Sequence, residues 1–158
     1  MSNKHRGKNY FFWKERAQIL LRQKKFKEAL KSYETGLKLA PKNVKHFFYN
    51  GLGNVSRYIA DYNSQALNCY KKAIQFYQQA IKNADKNKGL YWSNLSIAYA
   101  NLKDWDSAIK AIRKAIPLLK IEEKNGIKHG NQIKILKLEE RLYQEYKKRT
   151  LSEKGSSN

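Results

Sequence analysis

A spacing of large and small residues that recurs three times constrains this chain more than any other feature. In residues 10–40, Trp13, Ala17, Leu20, Ala29, Tyr33 and Gly36 stand four, three, nine, four and three apart. Trp92, Ser96, Tyr99, Ala108, Ile112 and Ala115 keep the same separations near the end of the chain. Tyr49, Gly53, Ser56, Ala66, Tyr70 and Ala73 repeat them in between, with one residue added in the middle. Large-small-large on one helix, answered by small-large-small on the next, is a packing instruction. The small residues mark where two helices cross closely, and the large ones fill the gaps beside them. An amphipathic bundle needs apolar stripes but not this register.

The helices follow from the three- and four-residue recurrence of apolar positions. The spacing predicts helices over 10–23 and 26–40, separated by a polar break at Gln23–Lys25. Pro41 ends the second, because proline disfavours helical geometry in the residue before it. Further helices are expected over 44–58, 63–84 and 90–102. A sixth begins near 105 and runs, kinked at Pro117, to about Lys124, with termination at Ile116 as the alternative. A last helix is expected over 131–149, with Ile135, Leu138, Leu142 and Tyr146 as its apolar face. No stretch alternates as a strand would, so the fold class is all-α.

At these residues the sequence resembles the tetratricopeptide repeat. Trp92-Ser-Asn-Leu95-Ser96-Ile-Ala-Tyr99, followed by Trp105-Asp-Ser-Ala108, is similar to the family pattern. Ala29, Tyr33 and Pro41 carry the likeness in the first unit, where Arg16 replaces the favoured leucine and is expected at an open edge. The middle unit departs by its extra residue, by Ser56 and by its lack of a terminal proline. The resemblance implies a right-handed α-solenoid of three helical hairpins (about 10–43, 44–84 and 89–124) within a repeat domain over 10–124. A capping helix within 127–149 follows, since the last hairpin otherwise exposes its open side. A helix that packs on another molecule is the alternative for that segment. Residues 1–9 and 150–158 read as disordered tails. Tyr70-Lys-Lys-Ala-Ile74 is echoed by Tyr77-Gln-Gln-Ala-Ile81, two helical turns on, so the fourth helix is expected to outgrow its unit by about 10 Å.

Composition narrows the chemistry. The 158 residues suit one domain, and a 41% hydrophobic fraction is too high for a disordered polyelectrolyte. Cys69 is the one cysteine, which excludes an intramolecular disulfide and any multi-cysteine zinc site. His5, His46 and His129 have no metal-ligand spacing, and Cys69 reads as a packed small hydrophobe. Gly51-Leu-Gly53 lies inside a helix and serves close contact, not phosphate binding. Asp104/Asp106 and Glu122/Glu123 read as helix-start or solvated charges. No catalytic constellation emerges, and no cofactor or metal is expected. The net charge is +20, carried by 26 Lys and 7 Arg. Such a field attracts phosphate polymers and acidic surfaces. The same Lys, Asn, Ile and Tyr excess also follows from A/T-rich codons, and arginine, the better planar phosphate reader, is scarce.

In tetratricopeptide proteins the first helix of each unit lines a concave groove. The resemblance therefore implies a partner-binding surface of Lys14, Gln18, Arg22, Asn50, Asn54, Arg57, Tyr58, Asn94 and Asn101, with Leu21, Ser93 and Ile97 beside them. Side-chain amides there grip an extended backbone, and the cations favour acidic side chains or a terminal carboxylate. The expected function is a non-catalytic adaptor or assembly factor whose partner protein offers an acidic segment, a C-terminal tail or a helix. Family members that hold chaperone C-termini need two cations in the third unit, where this chain has Leu90 and Asn94. A basic subunit on RNA or the ribosome, or a structural subunit of a larger complex, are the alternatives. The chain is expected as a monomer or as a subunit of a hetero-complex. A cytoplasmic or other reducing intracellular setting is expected, not a secreted one.

Overall fold

The computed structural model describes residues 6–62, 66–84 and 88–155. Seven α-helices occur among them: α1 (Arg6–Arg22), α2 (Phe26–Leu39), α3 (Lys45–Tyr62), α4 (Ala66–Asn83), α5 (Gly89–Asn101), α6 (Trp105–Lys124) and α7 (Gln132–Gly155). A 3-10 turn, Lys42–Val44, leads into α3, and no strand occurs among the described residues. The chain divides into two compact units, Met1–Lys86 and Asn87–Asn158. A single domain was the expectation from length. Arrays whose helices pack only on their neighbours need not share one core.

In the first unit α1 and α2 form one antiparallel hairpin, α3 and α4 a second, and α2 packs on α3. Its core holds Ala17, Leu20, Ala29, Tyr33, Ala40, Phe48, Leu52 and Val55. The α2–α3 contact is reciprocal. A Cβ added at Gly51 would meet the Tyr33 ring at 2.3 Å, and one added at Gly36 would meet the Phe48 ring at 2.3 Å. Each ring occupies the space the other helix's glycine leaves open. Ala40, which ends α2, has an extended backbone (ψ 133°) ahead of Pro41, as the proline requires.

In the second unit α5 and α6 pair, and α7 packs on α6. Ala108, Ile109, Ile112, Ala115, Leu119, Leu136 and Tyr143 form the core. Helix α6 passes through Pro117 without ending, held on either side by fully buried Ala115 and Leu119. The cost of the missing amide is outweighed by that packing. Asp104 starts the helix by accepting the Ser107 amide at 3.1 Å.

The α1–α2 and α5–α6 hairpins turn in the same way. Lys24 and Lys103 adopt left-handed backbone, φ 60° and 59°. Lys24 and Lys25 amides donate to Leu21 and Leu20 carbonyls, and Lys103 and Asp104 amides donate to Ala100 and Tyr99. These paired bonds satisfy the last carbonyls of each helix before the chain reverses.

Four expectations are corrected. Helix α1 begins at Arg6, so residues 6–9 are helical and not tail; residues 1–5 lie outside the described residues. Helix α7 runs on to Gly155 where a tail was expected from 150, with 156–158 outside the described residues. Helix α3 runs on to Tyr62 where an end near 58 was expected, so α3 and α4 are both 18 residues long. Finally, α7 docks on α6 by Leu136 and Tyr143, not by the expected face. Ile135 (45%), Leu138 (58%), Leu142 (43%) and Tyr146 (39%) stay exposed. The docked face is tied by ion pairs, Arg113 Nε to Glu140 Oε1 at 2.6 Å and Lys147 to Asp106. Charged residues therefore flank the buried side, which disguises it in the sequence.

Candidate partner-binding surface

Seven of the nine expected surface residues lie in the first unit. Lys14, half-buried on α1, holds its Nζ 4.7 Å from the centre of the Phe47 ring. Gln18 and Arg22, further along α1, are exposed. Asn50 on α3 is half-buried and already engaged within the chain.

Asn54 and Arg57 do something the sequence does not announce. Tyr77 of α4 donates its hydroxyl proton to Asn54 Oδ1 at 2.8 Å. One heptad along each helix, Tyr70 donates to Asp61 Oδ1 at 2.5 Å. Arg57 stands between, its guanidinium 3.5 Å from Asp61 Oδ2 and 4.5 Å from the centre of the Tyr58 ring. Burial opposes the Arg57 cation, but Tyr77, Tyr58 and Asp61 outweigh it and push its pKa up. Burial, against the pull of Arg57, pushes the Tyr77 hydroxyl up to about 12. Burial, then the bond to Asp61, does the same for Tyr70. Asn54 and Arg57 thus belong to a polar seam between α3 and α4, with Asn54 Oδ1 and the Arg57 guanidinium engaged inside the hairpin.

Tyr58 and Arg22 come together elsewhere. With Leu21, Lys24, Phe26 and Tyr62 they line a hollow of about 260 Å³. The Phe26 ring lies nearly parallel to Tyr58, 6.3 Å between centres, and 5.3 Å from Tyr62. Lys24 Nζ sits 5.3 Å from the centre of the Tyr62 ring. The hollow has an aromatic wall and two cations at its rim. Lys24, Phe26 and Tyr62 were absent from the expected set. The signal for them was local: Tyr58 and Tyr62 are one turn apart at the end of α3, and Phe26 opens α2.

The second unit supplies less. Asn94 is half-buried and engaged within the chain. Asn101 turns its Nδ2 back to the Ile97 carbonyl of its own helix at 3.0 Å. Ser93, expected to face a groove, is fully buried and accepts from Gln132 Nε2 of α7 at 2.8 Å. Glu122 is no solvated charge. It accepts the Gly89 amide at 3.0 Å, at the start of α5, and lies 2.8 Å from His129 Nε2. A carboxylate at that helix start also complements the helix dipole.

Among the described residues no group of three His, Cys, Asp or Glu side chains could hold a metal, and Cys69 is half-buried in α4. No helix among them is long and apolar enough to cross a membrane.

Comparison with known proteins agrees with this architecture. Residues 10–43 and residues 90–118 each match a family described as tetratricopeptide repeat. The chain is also similar to the Hsp70-Hsp90 organising protein of Plasmodium falciparum (isolate 3D7), with 29% identity over 101 residues. That stretch takes in 60% of this chain and 16% of the relative, so the chain spans about one sixth of that protein's length.

Proposed function

Because this chain is a tetratricopeptide-repeat protein, we propose that it is a non-catalytic adaptor that docks an acidic, extended segment of a partner protein on its first unit. The observation that carries this reading is the hollow bounded by Arg22, Lys24, Phe26, Tyr58 and Tyr62. An acidic side chain or terminal carboxylate at its rim gains charge-assisted hydrogen bonds from Arg22 and Lys24. An apolar neighbour in the same segment covers the three rings, which supply contact area at low entropic cost. Lys14 and Gln18 extend the surface along α1, with Asn50 on α3 beside them. Asn54 and Arg57 support it from behind by holding α3 against α4.

The relative's name links that protein to Hsp70 and Hsp90. Chaperone tails ending in a carboxylate are therefore one class of acidic segment to test. Leu90, 44% exposed, and Asn94 stand where the clamp needs cations, so the reading commits to acidity and not to a two-sided carboxylate clamp.

Fluorescence anisotropy of a labelled acidic hexapeptide against the full chain tests the proposal. Arg22→Glu is expected to weaken binding about tenfold, as reversal of a rim cation does. Lys120→Glu, at an exposed position on α6, is the control for the general field and is expected to change little. Equal loss in the two variants contradicts the site. The charge of +20 supports a second reading, an RNA- or ribosome-associated subunit. RNA binding at low salt without peptide binding favours it, and such binding should fall steeply as salt rises, because contacts limited to phosphate weaken with ionic strength.

A further inference from the structure

Helix α7 is apolar on two sides. One side is consumed by α6 through Leu136, Tyr143 and the Glu140–Arg113 and Lys147–Asp106 pairs. The other carries Ile135, Leu138 and Leu142, spaced three and four apart, and all three are 43% to 58% exposed. Tyr146 closes this stripe one turn further on, its ring centre 5.2 Å from that of Trp105 and tilted to it. A helix whose only task is to cap a repeat array presents a polar outer face. This one presents a seam.

The two edges of the seam differ in charge, and half-buried Glu139 lies on the edge toward α6. On a wheel of 3.6 residues per turn, Lys134, Lys137, Arg141 and Lys148 fall along the edge away from α6, with Glu145 as the acid among them. All five are exposed, and α7 has no acidic residue in its first turn. We propose that this seam is a second docking site, and that its occupant is an amphipathic helix with an acidic flank. Apolar residues at three- and four-residue spacing are the pattern that a partner helix fills by knobs-into-holes packing. The basic edge then sets the partner's charge, as flanking positions do in paired helices.

A second copy of this chain is disfavoured by the same edge, because two such faces bring four cations against four. A membrane surface is disfavoured by width. Interfacial helices bury a broad face with Trp or Phe. This stripe is three aliphatic residues and one tyrosine, and α6 covers the adjoining side of the helix. The site shares no residue with the Arg22–Tyr58 hollow, so it stands or falls independently of that reading.

The test uses the full chain and two designed helical peptides of roughly three heptads, both with Leu and Ile along one seam. One carries Glu at every flanking position and the other carries Lys. Anisotropy is expected to show binding of the Glu peptide and none of the Lys peptide. Leu138→Glu combined with Leu142→Glu is expected to weaken binding at least about tenfold, since central anchors dominate such interfaces. Both residues are exposed, so the helical signal and melting temperature should be retained; Arg22→Glu serves as a parallel variant that leaves this binding unchanged. Undiminished binding in the Leu138/Leu142 variant overturns the proposal, because the field alone then accounts for it. It is also overturned by equal binding of both peptides, or by sedimentation showing self-association that this variant abolishes. Seam-dependent binding to anionic vesicles, without binding of the Glu peptide, overturns it in favour of a membrane.

Discussion

The α3–α4 hairpin and the α5–α6 hairpin are written in one register but closed by different chemistry. In α5–α6 the register position on the first helix is Ser96, fully buried, with its hydroxyl turned back to the Ser93 carbonyl at 2.7 Å. In the core of this hairpin Ala108, Ile112 and Ala115 pack with Trp92 and Tyr99, and the polar tie from Glu122 to the Gly89 amide lies at the hairpin's end. In α3–α4 the same position is Gly53, and a Cβ there would meet the Tyr77 ring at 2.5 Å. Tyr77 needs that glycine to reach Asn54, and Tyr70 repeats the arrangement on Asp61. The two tyrosines are seven residues apart on α4, as Asn54 and Asp61 are on α3. The lengthened hairpin therefore repeats its polar tie two helical turns on. A register fixes which positions meet, while the residues placed there decide whether the meeting is dry or hydrogen-bonded.

Alkaline titration acts on both hairpins, through Tyr70 and Tyr77 in α3–α4 and Tyr91 in α5–α6. Burial pushes Tyr33, Tyr70 and Tyr77 of the first unit up to about 12, and Tyr143 of the second likewise. Tyr91, on α5, is raised further, by burial and then by Glu122. Below pH 10 these phenols are neutral in folded and unfolded chains alike. Between pH 10 and 12 the unfolded chain releases protons that the folded chain retains, so stability falls as pH rises. Guanidinium midpoints at pH 8 and 11.5 should show that loss, and Tyr70→Phe with Tyr77→Phe should reduce it. An unchanged slope would mean the α3–α4 tyrosines are not held neutral by the fold.

At neutral pH, Gly53→Ser installs the α5 residue in α3. It should destabilise by about 2–3 kcal/mol, because the Tyr77 ring must leave its seat. The reverse exchange, Ser96→Gly, should cost only about 1 kcal/mol, mostly helix propensity. Urea denaturation of both variants reads the contrast, and equal losses would erase it. Tyr77→Phe keeps the packing but leaves Asn54 without its donor, for an expected loss of about 1–2 kcal/mol. Smallest is the turn shared by the outer hairpins. Lys103→Gly relieves the left-handed backbone and should raise stability by about 0.5–1 kcal/mol in a thermal melt.

Much of the helical plan was legible because packing leaves a periodic trace. Ala17, Ala29, Ala73, Ala108 and Ala115 are all fully buried at the positions the register selects. The continuous helix through Pro117 was legible too, since Leu118, Leu119 and Ile121 keep the period beyond it. The docked face of α7 was not. Its buried side carries Glu140 and Lys147, whose partners Arg113 and Asp106 lie on another helix, and its exposed stripe is the more apolar. Asn54 and Arg57 read as free polar groups for the same reason: Tyr77 and Asp61 become their partners only once the hairpin closes. Glu122 looked solvated until Gly89 and His129 were brought to it. A single helix shows periodicity, whereas a polar contact between helices is a fact about two.

The claim beneath these readings is that the α3–α4 hairpin closes by a large side chain seated on a small residue of the facing helix. A double-mutant cycle on Gly53→Ala and Tyr77→Leu, followed by urea denaturation, tests it most directly. The account predicts non-additivity: with the ring removed, the alanine should cost at least about 1 kcal/mol less than it does alone. Additive losses would contradict it, since Gly53 and Tyr77 would then be acting as strangers.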